Sequence, residues 1–257
     1  MTWIELENAV NVRDVGQLPA GNGARTRTGR LVRSDNLQDL SPADISRLVE
    51  EVGVTTVIDL RSTPEVEAEG PGPLRADDRV RHVHLSVLPE GGQNTDVASD
   101  ALAVGRKRAL AKSPDDMVGA FYLGYLEDRP ESVVGALRAI AGAPGAALVH
   151  CAAGKDRTGV VVALALSAVG VPREVVVADY AATGERIEAI LDRLRSSPTY
   201  ADDVDRLPAH EHDPRPDIMD RFLLGLDGAH GGVLGWLAAH GFGTLDVDRL
   251  RRKLVEE

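Results

Sequence analysis

Residues 147–170 read ALVHCAAGKDRTGVVVALALSAVG. The opening run, Ala147–His150, is short and apolar, as a buried parallel strand would be. The closing run, TGVVVALALSAVG, has the length and Ala/Leu content of a buried helix stopped by Gly170. Between them lies a glycine-containing loop, so the unit is strand, loop, helix. The first amides of such a helix lack intrahelical partners and carry partial positive charge, and Gly154 permits backbone angles that a bulkier residue resists. A loop of this composition is an anion cradle.

Cys151, the single cysteine of the chain, stands at the start of that loop, beside the helix dipole, Lys155 and Arg157. Each of these favours thiolate over thiol, which makes the sulfur a candidate nucleophile. Arg157, six residues later, can bring a planar guanidinium to two phosphoryl oxygens at once. A carboxyl group within reach could protonate a departing oxygen. Asp156, inside the loop, is one candidate. Asp59, at the C-terminal end of the first predicted strand, is the other, because the sites of parallel sheets gather at that edge. His150 is expected to fix the loop through hydrogen bonds rather than act as a base.

Working outward, Ser41-Pro42 reads as an N-cap followed by Pro at the first helical position, with Gly53 as the stop. Val54–Leu60 is a β-branched run, and Val80–Leu85 a second candidate strand in which Val83 and Leu85 alternate with His82 and His84. From Pro89 to about Lys112 the composition predicts an irregular surface insertion. Helices are expected from Ser113-Pro114 to about Glu127, from Pro130 to near Gly142, and from Pro172 to about Arg195. Residues 196–216 read as loop. A final helical section follows, in which two apolar helices joined by the glycine-rich turn Gly228–Gly232 could pack as core or form a lid. The expected fold is α/β: a small, mostly parallel central sheet flanked by helices, with a C-terminal helical lid. The whole of 1–257 reads as a single domain, with its core at about 8–185 and the cover at about 186–257.

Composition narrows the function classes. A net charge of −11 over 257 residues argues against nucleic acid as a partner, so an anionic ligand needs a concentrated positive site. The longest mainly apolar stretch, residues 160–169, is half the roughly 20 residues that a bilayer-spanning helix needs, so no integral membrane association is expected. The start, MTWIELENAV, lacks the basic and apolar regions of a secretory signal, which predicts a cytoplasmic protein unless export takes another route. One cysteine allows no intrachain disulfide and no thiolate zinc cluster. His210-Glu211-His212 sits in loop-like surroundings without further local ligands and is not read as a metal site.

The loop HCAAGKDRTG, His150–Gly159, resembles the Cys-(five residues)-Arg-Thr loop of the protein tyrosine phosphatase superfamily, and its Lys-Asp filling is similar to the bacterial branch that includes the mycobacterial phosphatase B type. NVRDVGQLP (Asn11–Pro19), GRLVRSDNLQDLS (Gly29–Ser41), VIDLRSTPEV (Val57–Val66) and VVVADY (Val175–Tyr180) resemble further segments of that branch. The resemblance implies that Cys151 is the nucleophile and Arg157 the phosphate clamp. It implies that the amides of Ala152, Ala153, Gly154, Lys155, Asp156, Arg157 and Thr158 form the phosphate cradle. No cofactor or metal is implied. The implied substrates are phosphotyrosine in proteins, with possible dual specificity, or phosphoinositides, for which Lys155 resembles an adaptation to extra negative charge; inorganic phosphate is the product. The family's separate Trp-Pro-Asp acid loop is not visible, because neither Trp3 nor Trp236 has those neighbours. Asp156, inside the matched motif, is therefore favoured as the acid and Asp59 kept second. Arg13-Asp14 and Arg33-Ser34 are expected to serve packing. The rival expectations are a rhodanese-type sulfurtransferase and a non-catalytic module that binds phosphorylated ligands.

Overall fold

The computed structural model describes residues 1–89, 117–206 and 208–256. Among them the sheet has six strands: β1 (Thr2–Trp3), β2 (Arg13–Asp14), β3 (Leu31–Ser34), β4 (Val54–Asp59), β5 (Arg81–His84) and β6 (Ala146–His150). Their order is β1-β2-β3-β6-β4-β5. The first three pair antiparallel, while β3, β6, β4 and β5 are parallel neighbours. The predicted α/β class and mostly parallel sheet are what the chain forms.

Side chains alternate across this sheet as strand geometry dictates. Leu31, Ile58, Ala147 and Val149 enter the larger core on one face, and Val32, Val57, Ala146 and Leu148 a smaller core on the other. The smaller core is closed by α1 (Pro42–Ser46), which continues into a wider turn over Arg47–Glu51. Ser41 and Asp44 form a capping box at its start, as the Ser-Pro signal predicts.

The larger core holds α3 (Met117–Asp128), α4 (Pro130–Gly142) and α5 (Asp156–Ala168), while α2 (Thr63–Glu69) follows β4. Helix α5 is apolar on every side because it is central, packed by α3, α4 and α6 (Arg173–Ala182). It stops where Gly170 takes a φ of 89°, a left-handed angle suited to glycine.

The helix expected from Pro172 to about Arg195 is two helices: α6, and α7 (Ile187–Arg195), separated by a tighter turn at Thr183–Arg186. Gly184 weakens the helix there, and Arg13 holds the Thr183 hydroxyl at 3.0 Å. The expected loop after it contains α8 (Ala201–Val204) and a single turn at Ala209–His212. The final section resolves into α9 (Pro216–His230), α10 (Val233–Ala239) and α11 (Thr244–Leu254). Ile218, Met219, Phe222, Leu223, Leu226, Trp236 and Leu237 are buried, so the glycine-linked pair packs into the larger core. Among the described residues no single helix is long and apolar enough to cross a membrane. Apart from Pro89, the expected insertion lies outside the described residues, as does the helix start at Ser113-Pro114.

Candidate active site

Strand register builds the site. Ser34, His150 and Asp59 lie abreast across β3, β6 and β4, and His84 of β5 stands next to Asp59. All four are at the C-terminal edge of the parallel sheet, where loops rather than side chains fill the space above the strands. Cys151 follows directly.

The loop that leaves β6 is held from outside by its carbonyls. Asn36 N donates to Ala152 O at 3.0 Å, Asn11 Nδ2 to Ala153 O at 2.9 Å, and Arg33 Nη2 to Gly154 O at 2.8 Å. In a trans peptide the following N–H points opposite its carbonyl, so the amides of Ala153, Gly154 and Lys155 face the loop's interior. The next three, Asp156, Arg157 and Thr158, are the leading amides of α5; the first intrahelical bond is Gly159 N to Lys155 O at 2.9 Å. The loop and the helix start thus bring six consecutive amides, Ala153 to Thr158, to the N-terminal end of α5. Gly154 has a φ of 66°, and a Cβ there would lie 2.5 Å from Ser34 O, so this position admits glycine alone without strain.

Arg13 and Arg33, read from sequence as packing residues, anchor this scaffold. Both are fully buried and share Asp179 of α6, at 3.0 Å through Arg13 Nε and 2.6 Å through Arg33 Nη1. Burial works against the charge of Asp179, but the two guanidinium groups outweigh it and hold the carboxyl below its ordinary range. Arg13 also donates to Asn11 Oδ1 at 2.6 Å, which fixes the amide that grips Ala153.

Cys151 is buried, and its sulfur accepts a hydrogen bond from Thr158 Oγ1 at 3.2 Å. Arg157 turns inward and meets Glu65 in a fork, Nη1 to Oε2 at 2.6 Å and Nη2 to Oε1 at 2.9 Å. Burial opposes the Arg157 charge, yet Glu65 first, then Tyr200 and Cys151, keep it protonated well above its ordinary value. Glu65 is the N3 residue of α2, where it also accepts from Ser62 N at 2.7 Å and Ser62 Oγ at 2.8 Å. One carboxylate therefore caps a helix and orients the Arg157 guanidinium. From the C-terminal cover, Tyr200 reaches the same pair: it accepts from Arg157 Nη2 at 2.9 Å and donates to Glu65 Oε1.

The two candidate acids sit differently. Asp59 is gripped by Arg61 through the backbone N and Nε, each 3.0 Å from Oδ1, and through Nη2, 2.7 Å from Oδ2. Burial opposes its ionisation, but His150 and Arg61 outweigh burial and hold the carboxyl far below the usual range. Burial pushes His150 itself down to about 4, so at neutral pH the ring is uncharged and Arg61 is the effective partner. Asp156 keeps a partly exposed side chain. Its Oδ1 receives Tyr122 Oη at 2.5 Å and Lys155 Nζ at 2.9 Å. Burial raises this carboxyl, and Lys155 and Tyr122 more than reverse that, leaving it below its ordinary value.

Glu65, Tyr122, Tyr180 and Tyr200 are the residues that the sequence reading missed. For Glu65 a signal exists, the Ser62-x-x-Glu65 capping box directly after a strand that ends at the site. The tyrosines carry none. His210-Glu211-His212 lies in a single turn in which His212 Nε2 bonds Val204 O at 3.0 Å, and among the described residues no group of three or more His, Cys, Asp or Glu is placed to hold a metal ion.

The chain matches the tyrosine phosphatase family over residues 4–256. It is 32% identical to the triple specificity protein phosphatase PtpB of Mycobacterium tuberculosis, across 98% of each chain. A tyrosine-protein phosphatase of Nostoc commune is 28% identical over 92% of this chain and 78% of its own length. The cysteine-bearing loop, its inward guanidinium and the extent of these matches agree, and the chain belongs to the tyrosine phosphatase family.

Proposed function

We propose that this protein hydrolyses phosphomonoesters through a cysteinyl-phosphate intermediate, with phosphotyrosine in proteins as the leading substrate and phosphoserine, phosphothreonine and phosphoinositides behind it. The observation that carries the reading is the placement of Cys151 and Arg157 on one loop, the sulfur bonded by Thr158 Oγ1 and the guanidinium held in a fork by Glu65. Breadth of substrate is supported by the relative whose name declares triple specificity.

In the first step the Cys151 thiolate attacks phosphorus while the ester P–O bond breaks. The loop amides and Arg157 take the charge on the equatorial oxygens, and an acid protonates the departing oxygen. In the second step water attacks the cysteinyl phosphate, the S–P bond breaks, the thiolate returns, and the same carboxylate accepts the proton from water. Asp156 is the favoured acid because its side chain is partly exposed at the loop, whereas Asp59 is committed to Arg61. Against burial, Lys155 holds the Asp156 carboxyl below its ordinary value; a bound phosphate dianion, by its own charge and by attracting the Lys155 ammonium, raises it so that it carries the proton.

Phosphate release from phosphotyrosine, phosphoserine and phosphothreonine peptides and from phosphoinositides, measured in chelator, tests the reading. Cys151→Ser should lose activity by about ten-thousandfold or more, since removing a nucleophile costs that much in comparable enzymes. Asp156→Asn should lose about a hundredfold on poor leaving groups. Asp59→Asn should mainly lower stability. Activity that survives Cys151→Ser, or that depends on added metal, would overturn the mechanism.

A further inference from the structure

Tyr122 lies on α3, fully buried, with its ring packed against three neighbours: Tyr125 at 6.0 Å, Tyr180 at 6.2 Å and Phe222 at 6.1 Å between centroids. Its hydroxyl has two bonds, one donated to Asp156 Oδ1 at 2.5 Å and one shared with Tyr180 Oη at 2.8 Å. Since Tyr122 gives its own proton to Asp156, Tyr180 is the donor in the second bond, and a directed chain runs from Tyr180 through Tyr122 to the carboxylate. The Lys155 ammonium converges on the same oxygen, Oδ1.

A carboxylate turns about its last torsion with little cost, and its two oxygens are interchangeable unless something distinguishes them. Among the described residues both donors choose Oδ1, so Oδ2 is the oxygen left to carry a transferable proton. Lys155 has a flexible stem and a point charge that an incoming phosphate dianion attracts. Tyr122 has neither; its ring is locked in the core, and its donation persists whatever Lys155 does.

We propose that Tyr122 is a positioning residue for proton transfer: its hydroxyl pins Asp156 Oδ1 so that Oδ2 presents the proton to the departing ester oxygen. The inference rests on the reading of Asp156 as the acid. During the first step the Oδ2 proton moves to the ester oxygen as the P–O bond breaks, and the carboxylate formed is held by the Tyr122 hydrogen bond. In the second step Oδ2 takes a proton from the attacking water. The Tyr122 proton stays on its oxygen throughout, as suits a phenol that burial first, and then Asp156, keep well above its ordinary pKa.

The test compares Tyr122→Phe, Asp156→Asn and the unmodified protein on aryl phosphates of graded leaving-group basicity, from 2,4-dinitrophenyl to phenyl phosphate. Loss of a positioned acid shows as a penalty that grows with leaving-group basicity. Tyr122→Phe should show about a tenfold larger loss on phenyl than on dinitrophenyl phosphate, and Asp156→Asn about a hundredfold. Both substrates are read on the same preparation, so the ratio is independent of the fraction folded. The alkaline limb of kcat should move to higher pH in Tyr122→Phe, because the carboxylate has lost a donor. Tyr180→Phe, which leaves the Tyr122–Asp156 bond in place, should shift the ratio in the same direction by less. Equal loss on every substrate in Tyr122→Phe, with Asp156→Asn still leaving-group dependent, would overturn the positioning role alone. A flat response in Asp156→Asn would remove Asp156 as the acid and the inference with it.

Discussion

Tyr200 and Arg157 share a hydrogen bond of 2.9 Å, and the phenol donates its own hydrogen bond to the carboxylate of Glu65 that already holds the guanidinium. The contact ties the segment after α7 to the clamp. Ser197 reinforces it by donating to Glu69, at the far end of the same α2 that carries Glu65.

A neutral phenol oxygen resting on the clamp is a weaker partner for a guanidinium than a phosphate oxygen, but it must be displaced or shared when phosphate arrives. Tyr200→Phe should therefore bind inorganic phosphate more tightly, by about threefold, less than the full worth of one hydrogen bond to a charged group. Competitive inhibition by inorganic phosphate measures it. Weaker inhibition in the variant would mean that the hydroxyl helps to hold the anion.

Among the described residues Glu65 is the carboxylate bonded to Arg157. Removing it leaves the buried Arg157 charge without its carboxylate and uncaps α2 at the same time. Glu65→Ala should destabilise the protein by about 3–5 kcal/mol, as for other broken buried pairs. Glu65→Gln keeps an acceptor for Ser62 and should recover part of the stability while kcat stays depressed, since a neutral amide fixes the guanidinium less firmly. Thermal denaturation and steady-state kinetics on the two variants separate capping from clamp orientation; equal melting temperatures would refute the double role.

The cradle depends on a shape that no side chain tolerates at one position. Gly154→Ala must accommodate a φ of 66° and a methyl group 2.5 Å from Ser34 O. Relief requires the loop to move away from β3, which breaks the Arg33 to Gly154 O bond and tilts the inward amides. The expected result is a loss of kcat/KM of at least about a hundredfold, comparable to removing one oxyanion donor, with a smaller proportional loss of melting temperature. Near-normal kinetics would show that the loop relaxes without cost.

What could be read in the sequence follows how local the information is. Strand β6, the loop and α5 are contiguous, so apolar run, glycine and basic filling all point to one structure. Glu65, Tyr200 and Tyr122 reach their partners across 92, 43 and 34 residues, and no periodicity encodes such meetings. Glu65 was half legible, because the capping box that places it is itself local. The break between α6 and α7 was not, since the contact that stabilises it comes from Arg13, 170 residues away.

The remaining prediction concerns acid stability. His150 is buried beside Asp59, Arg61 and His82, and burial pushes its pKa from 6.5 to about 4, against the pull of Asp59. The unfolded chain takes up a proton near pH 6.5 that the folded chain refuses until about pH 4, so protons favour the unfolded state across that window. The stability lost to His150 as pH falls from 6.5 to about 4 is on the order of 3 kcal/mol. The carboxyls of Asp59, Glu65, Asp156 and Asp179 all lie below their ordinary values, so their contributions begin to fall only as pH drops through those ordinary values, 4.5 for Glu65 and 3.8 for the aspartates, at the acid end of this window and beneath it. Melting temperatures of the unmodified protein and of His150→Gln, taken at half-unit steps between pH 4 and pH 7, isolate the effect. The difference between the two should change steadily below pH 6.5, with the unmodified protein losing stability faster; parallel curves would assign the acid sensitivity to other groups.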